Sequence, residues 1–183
     1  MKNLLLVISG PSGVGKGTIV NRLLKSGDYA LSVSCTTRKM REGEVDGKSY
    51  FFISKEQFLK TIDAGGFLEY SNHFENYYGT PRAFVEEQLV THDVILEIEP
   101  NGALQAKKSY PDAILIMITA PDGAQRERLK GRGTESDEEI ERRIKRADYE
   151  LSKQDQYDYV LVNDDLDECV SRLENLIKEL KHK

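Results

Sequence analysis

Tryptophan is absent from the 183 residues, cysteine occurs twice, histidine three times and proline five times. The two cysteines, Cys35 and Cys169, are too few for a disulfide framework. With only His73, His92 and His182 beside them, no Cys/His spacing for structural zinc exists. The longest apolar run, Ala113 to Ile118, falls far short of the ~18 residues of a spanning helix, and Leu4 to Ile8 is too short for the apolar centre of a secretory leader. A soluble cytoplasmic protein is therefore expected. An excess of positive charge is missing as well: 26 Lys and Arg stand against 31 Asp and Glu, a formal net charge of -5. That balance argues against a protein whose main work is coating nucleic acid, and any anion site must come from local geometry. No repeat or low-complexity segment interrupts the chain. Its length suits one domain, able to bury roughly 70% of the surface that the unfolded chain exposes.

What is present concentrates near the N-terminus. Gly10-Pro11-Ser12-Gly13-Val14-Gly15-Lys16-Gly17-Thr18 follows the apolar run Leu4 to Ile8 and precedes Ile19, Val20, Leu23 and Leu24 at helical spacing. Strand, glycine-rich turn and helix in that order make a phosphate cradle. Successive backbone N–H groups converge on a polyphosphate, the helix aims its positive dipole end at the same anion, and the Lys16 ammonium reaches the outer phosphates. Side chains in place of the glycines would block that approach. Gly17 follows the lysine where the common pattern has Ser or Thr to hold magnesium, and Thr18 comes one place late. No direct protein ligand for the metal is expected. The Gly-Lys-Gly-Thr variant resembles that of nucleoside monophosphate kinases.

Beyond the loop, short apolar runs alternate with helical patterns. Leu4 to Ser9, Leu31 to Cys35, Val94 to Ile98, Ala113 to Thr119 and Tyr159 to Val162 read as core strands. Several are apolar on both faces, as parallel strands covered by helices are. Thr80-Pro81 reads as an N-cap followed by proline at the first helical position, and Ser54-x-x-Gln57 and Ser136-x-x-Glu139 as capping boxes. Leu166, Val170, Leu173, Ile177 and Leu180 mark the packed stripe of a C-terminal helix. The pattern predicts an α/β fold, a sheet layered by helices.

Two segments break the alternation. Residues 35–80 hold Thr36-Thr37-Arg38, Arg41, Gly43-Glu44, Tyr50-Phe51-Phe52, Glu69 and Asn76-Tyr77-Tyr78-Gly79-Thr80. Two arginines three apart, with phenol hydroxyls nearby, suit a second phosphate group, because arginine offers a forked, permanently charged donor set. Taken alone, an arginine pair is more often solvated surface. Residues 126–146 carry Arg126, Arg128, Arg132, Arg142, Arg143 and Arg146 among six acidic residues, the composition of a salt-bridge-laced exposed helix. Gly131-Arg132-Gly133 differs, since flanking glycines give that arginine a mobile loop, and it reads as a lid.

The phosphate loop, Ser34-x-Thr36-Thr37-Arg38, Tyr50-x-Phe52, Glu69, Asn76 to Thr80, Leu129-x-Gly131-Arg132-Gly133 and Val162-Asn163-Asp164 follow one another in the order and spacing of guanylate kinases, which the chain resembles over nearly its whole length. The resemblance implies one domain of the P-loop NTPase type over 1–183. Its core would cover 1–34, 81–125 and 147–183, with a GMP-binding insertion at 35–80 and an arginine-bearing lid at 126–146. The implied reaction is transfer of the ATP γ-phosphoryl to GMP, and also dGMP, with Mg2+ held mainly by ATP phosphates and water. Gly10, Pro11, Ser12, Gly13, Val14, Gly15, Lys16, Gly17 and Thr18, with Arg128 and Asn163, would bind ATP. Ser34, Glu69 and Thr80 would face the guanine, and Arg38, Arg41, Tyr50 and Tyr78 would hold the GMP phosphate with Glu99 beside them. Lys16, Arg38, Arg132 and Arg143 would surround the transferring group. Small-molecule substrates are the partners implied, without nucleic acid or membrane, and no feature points to an oligomeric state. Glu97 and Glu99 stand where the family often has Asp, and Pro100-Asn101-Gly102 replaces a more usual residue-Gln-Gly. The longer Glu99 side chain must retract to reach the same ligand.

The chemistry agrees with those assignments. Guanine presents an N1–H and an exocyclic amine on one edge, and a single carboxylate such as Glu69 accepts from both. Adenine has no N1–H and leaves that carboxylate partly unpaired, at a cost of ~1–3 kcal/mol. Phosphoryl transfer needs alignment and charge neutralisation more than a protein nucleophile, and an acceptor that is already an oxyanion needs no general base. Three alternatives share some features. An adenylate kinase or ribose bisphosphate kinase would use the same loop but has no reason for Glu69 with Asn76 to Thr80. A non-catalytic guanylate-kinase-like module that docks proteins would be expected to have eroded the loop or the lid arginines. A P-loop GTPase would carry an Asn-Lys-x-Asp run, which is absent. Site residues, not fold, separate these readings.

Overall fold

The computed structural model describes residues 2–73, 75–121, 123–131 and 136–182. In chain order its strands are β1 (Leu5–Ser9), β2 (Tyr29–Leu31), β3 (Cys35–Thr36), β4 (Phe51–Phe52), β5 (Phe67–His73), β6 (Asn76–Pro81), β7 (Asp93–Glu97), β8 (Ile114–Thr119) and β9 (Tyr159–Val162). Its helices are α1 (Lys16–Leu24), α2 (Lys55–Asp63), α3 (Arg82–Gln88), α4 (Pro100–Ser109), α5 (Ala124–Gly131), α6 (Asp137–Leu151) and α7 (Leu166–Lys181).

Five strands form a wholly parallel sheet in the order β2-β7-β1-β8-β9. The doubly apolar runs explain why the central strands β1, β7 and β8 are buried on both faces, whereas the edge strands β2 and β9, also expected in the core, leave Leu31, Val160 and Val162 exposed. Along β1, Leu6 and Ile8 enter one core with Ile19, Leu23, Leu173 and Ile177 of α1 and α7, while Leu5 and Val7 enter a second core with Val85, Ala103 and Ala106 of α3 and α4. Strand β8 divides in the same way, Ile116 and Ile118 to the first core and Leu115 and Met117 to the second. The chain leaves β1 toward β7 and β2 on one side and later fills β8 and β9 on the other. The carboxyl end of β1 is therefore the switch point at which such sheets bind ligands.

The remaining strands build a separate four-stranded sheet, β4-β3-β6-β5, in which β3 and β4 are parallel and the other pairs antiparallel. A third, smaller core supports it, with Phe58 of α2 stacked on Phe67 at a ring distance of 4.4 Å beside Cys35. The run from Leu31 to Cys35, expected as one strand, is thus two strands in two sheets. The Ser32 N–H still donates to Ile95 O of the main sheet at 2.9 Å, but Ser34 O already accepts from the Phe51 N–H at 2.9 Å. Thr80-Pro81 also differs from expectation: both residues end β6, Pro81 is the N-cap of α3, and no side chain caps that helix. Both predicted capping boxes form, at Ser54–Gln57 and Ser136–Glu139. The C-terminal stripe buries Val170, Leu173 and Ile177. Gly131 closes α5, while Arg132 and Gly133 of the expected lid lie outside the described residues. No helix among the described residues is long and apolar enough to cross a membrane.

Candidate active site

The phosphate loop leaves β1 at the switch point and closes on α1. Gly10 has φ +138°, and a Cβ there would fall 2.1 Å from Ile118 O on β8, so only glycine lets the loop lie against the sheet edge. Gly15, at φ +97°, is the left-handed cap of α1, and a Cβ there would meet Asn163 Nδ2 at 2.5 Å. The Lys16 ammonium curls over the loop and donates to Gly10 O at 2.5 Å and Pro11 O at 2.8 Å. From behind, Arg128 and Asn163 fasten the loop by a shared acceptor: Arg128 Nη1 at 3.2 Å and Asn163 Nδ2 at 2.7 Å both donate to Val14 O, and Arg128 Nη2 also donates to Asn163 O at 2.8 Å. Pro11, Gly13 and Val14 are buried within the loop, and Gly17 and Thr18 lie in the first turn of α1, where Thr18 is exposed.

In front of the loop is a cleft of about 780 Å³ lined by Gly10, Ser12, Lys16 and Glu97 on one side and by Arg142, Arg143 and Arg146 of α6 on the other. Arg143 Nη1 donates to Ser12 Oγ at 2.7 Å, which brings an arginine from the second arginine-rich segment onto the loop itself. Gly17 opens space toward Glu97, whose Oε1 would be 3.5 Å from a Cβ at that position. The surrounding protein strips water from the Glu97 carboxylate and raises its pKa, with Lys16 opposing the shift. Among the described residues no group of three or more His, Cys, Asp or Glu side chains is arranged to hold a metal ion. This donor set suits a cation that arrives on a polyphosphate, with Glu97 as the nearby carboxylate, and does not suit an all-protein cage.

A second cleft of about 620 Å³ lies against the small sheet. Ser34, Arg38, Arg41, Tyr50, Glu69 and Tyr78 all line it, so the structure brings together six residues drawn from 45 positions of sequence. Arg38 forks onto Glu44 through Nη1 to Oε2 at 3.0 Å and Nη2 to Oε1 at 2.7 Å, and lies 5.4 Å from the Tyr50 ring centre. Those bonds, with the Arg41 N–H, hold the Glu44 carboxyl down to about 2. Glu69 is buried, at 7% exposure, and its Oε1 accepts from the Thr80 hydroxyl at 2.6 Å. Burial raises its pKa, against the lowering effect of the hydrogen bonds from Thr80. Thr80 is itself fully buried behind Glu69, which is why its hydroxyl is not free to cap α3.

The two clefts share one wall, Ile98 and Glu99. Glu99 is the N-cap of α4. Its carboxylate pairs with Arg146 of α6 on one side and lies 3.3 Å from His73 Nε2 of β5 on the other. Arg146 also donates to Glu150 at 2.8 Å. Arg146, His73 and Gly102 beside Glu69 are members of the site that the sequence reading missed. Arg146 and Glu99 are 47 positions apart and carry no motif that links them. Glu44, by contrast, had a legible signal, an acid three residues after Arg41.

A parallel sheet that delivers a glycine-rich loop to a helix N-terminus at its switch point, with a second, arginine-lined cleft across a common wall, defines a P-loop NTPase of the nucleotide kinase type. The chain belongs to the guanylate kinase family, whose model matches residues 2–180. It is 50% identical over 181 residues to the guanylate kinase of Streptococcus thermophilus, covering 97% of this chain and 87% of that protein. It is 48% identical over 179 residues to that of Caldanaerobacter subterraneus subsp. tengcongensis, covering 96% and 87%. The crystal structure of guanylate kinase from Anaplasma phagocytophilum matches with a TM-score of 0.75 at 32% identity, over all of this chain and 88% of that one.

Proposed function

We propose that this protein transfers the γ-phosphoryl group of ATP to GMP, and to dGMP, giving ADP and the guanosine diphosphate. The observation that carries the reading is the Glu69 carboxylate, buried and fixed by Thr80 in a cleft that also presents Arg38, Arg41, Tyr50 and Tyr78. A buried acceptor at one end and a double guanidinium at the other match a molecule with an N1–H and amine edge and a phosphate. Ser34 supplements the guanine contact from the cleft wall, while Thr80, buried behind Glu69, acts through the carboxylate it holds.

ATP is held by the loop over Gly10 to Thr18, with its phosphates in reach of the Lys16 ammonium. Arg128 and Asn163 act from behind by holding the Val14 carbonyl. An oxygen of the GMP phosphate attacks the γ-phosphorus as the bond to the β-phosphate bridging oxygen breaks, and ADP leaves with that oxygen. Lys16, Arg38 and Arg143 neutralise the charge, and Arg132, outside the described residues, completes the set. Mg2+ carried on the ATP phosphates would supply further charge neutralisation, and Glu97, which lines the cleft beside Lys16, would hold its water. The unpaired, buried Cys35 and Cys169 accord with a reducing compartment, the cytoplasm.

Glu69→Gln tests the reading. The variant keeps the size of the side chain but presents a donor to a donor, so kcat/KM for GMP should fall by ~10² or more. The preference for GMP over AMP should narrow, and affinity for ATP should be unchanged. A coupled assay of ADP release with GMP, dGMP, AMP, CMP and UMP, run also over varied ATP, measures all three. A variant that kept the full preference for GMP would remove Glu69 from guanine recognition.

A further inference from the structure

Gly102 is the third residue of α4 and has no positive φ, so its backbone would accept any residue. Its surroundings would not. A Cβ at that position would stand 2.9 Å from Glu69 Oε2, 3.4 Å from the Glu69 carboxyl carbon and 3.5 Å from Ile98 Cδ1. The first distance is too short for a real contact, and what must yield is the carboxylate at the tip of a side chain, not the backbone. That carboxylate has little room: its other oxygen holds the Thr80 hydroxyl, and the residue is buried except toward the cleft.

We infer that Gly102 is a specificity-determining positioning residue, whose missing side chain sets the depth at which Glu69 presents its carboxylate to the purine edge. The inference rests on the reading of Glu69 as the guanine reader. A methyl group on α4 would push the carboxylate forward and turn it, and a carboxylate that accepts from two donors at once loses one of them when it turns. The loss falls on the discrimination between purines that differ along that edge. GMP offers the N1–H and the amine, IMP only the N1–H, and AMP neither arrangement. Helix stability moves the other way, because alanine is a better helix former than glycine. A residue kept only for packing cannot produce that divergence.

The experiment compares Gly102→Ala, Glu69→Asp, the double variant and Glu69→Gln as full-length proteins. Each is followed by thermal melting, by binding of a non-hydrolysable ATP analogue with magnesium, and by kcat and KM for GMP, IMP and AMP. Gly102→Ala should melt at or above the parent temperature and bind the ATP analogue unchanged. Its KM for GMP should rise about tenfold or more, the worth of one hydrogen bond to a charged group, while kcat changes far less, and its preference for GMP over IMP should shrink. Glu69→Asp withdraws the carboxylate by one methylene, so it should cost less in the Gly102→Ala background than in the parent, a compensatory coupling. Unchanged KM and GMP:IMP ratio in Gly102→Ala, in a protein where Glu69→Gln destroys guanine preference, would overturn the inference. So would a lower melting temperature with ATP and GMP binding weakened together. Guanine preference that survives Glu69→Gln would instead remove the reading beneath it.

Discussion

At the scale of single residues, Glu69 shows a conflict between stability and function. A buried carboxylate is costly to ionise, and burial accordingly raises its pKa in the folded protein. The native state then binds this proton more tightly than the unfolded chain. The stability so contributed is complete below the ordinary glutamate value and is lost as pH rises through the raised one. Glu69→Gln does not titrate there, so its melting temperature should gain on that of the parent across that window and stay ahead at neutral pH. Melting curves of the two ligand-free proteins between about pH 4 and pH 8 measure this. Over the same window KM for GMP in the parent should rise as pH falls, because a protonated carboxyl loses an acceptor facing guanine. A parent and variant that melt in parallel at every pH would mean that Glu69 is ionised without cost.

At the scale of elements, capping decides how firmly the arginines of α6 are presented to the cleft. The Ser136 box closes through Glu139 N to Ser136 Oγ at 3.3 Å and Ser136 N to Glu139 Oε2 at 2.9 Å, at the start of the helix that brings Arg143 to Ser12 and Arg146 to Glu99. Ser136→Ala should cost about 1 kcal/mol of local stability. Hydrogen exchange at the first-turn amides of α6 should quicken and kcat should fall, with KM for GMP unchanged. Ser54→Ala removes an equivalent box from α2 and should leave kcat alone. Both boxes were legible because their partners are three residues apart, and the doubly apolar strands because burial on both faces is written in each run. The division of Leu31–Cys35 was not legible, since the pairing of Ser32 with Ile95 and of Ser34 with Phe51 depends on residues far along the chain. Thr80 failed as a predicted cap for a similar reason: its hydroxyl had a buried carboxylate 11 positions earlier to satisfy. Most of the site was readable as motif, but Arg146 read as one more charge on an exposed helix. Its bond to Glu150 fits that description, and its bond to Glu99 does not.

At the scale of the whole molecule, three cores carry separate duties. Leu173, fully buried between α7 and the main sheet, should cost about 3 kcal/mol on truncation to alanine and lower Tm by roughly 10 °C, without a change in either KM. Phe58, equally buried but beneath the small sheet, should when truncated raise KM for GMP and spare affinity for ATP. Calorimetry with substrate titrations separates the two. Equal effects of both truncations on both substrates would show the cores to be one. The wall of Ile98 and Glu99 has a kinetic consequence. The linings on its two sides have no other residue in common, so neither nucleotide has to leave before the other arrives. With ATP on one side and GMP on the other, as proposed above, the phosphoryl group would cross within a ternary complex without a covalent stop on the protein. Initial-rate plots against one substrate at fixed levels of the other should intersect, and parallel lines, the mark of a ping-pong sequence, have no place in this architecture.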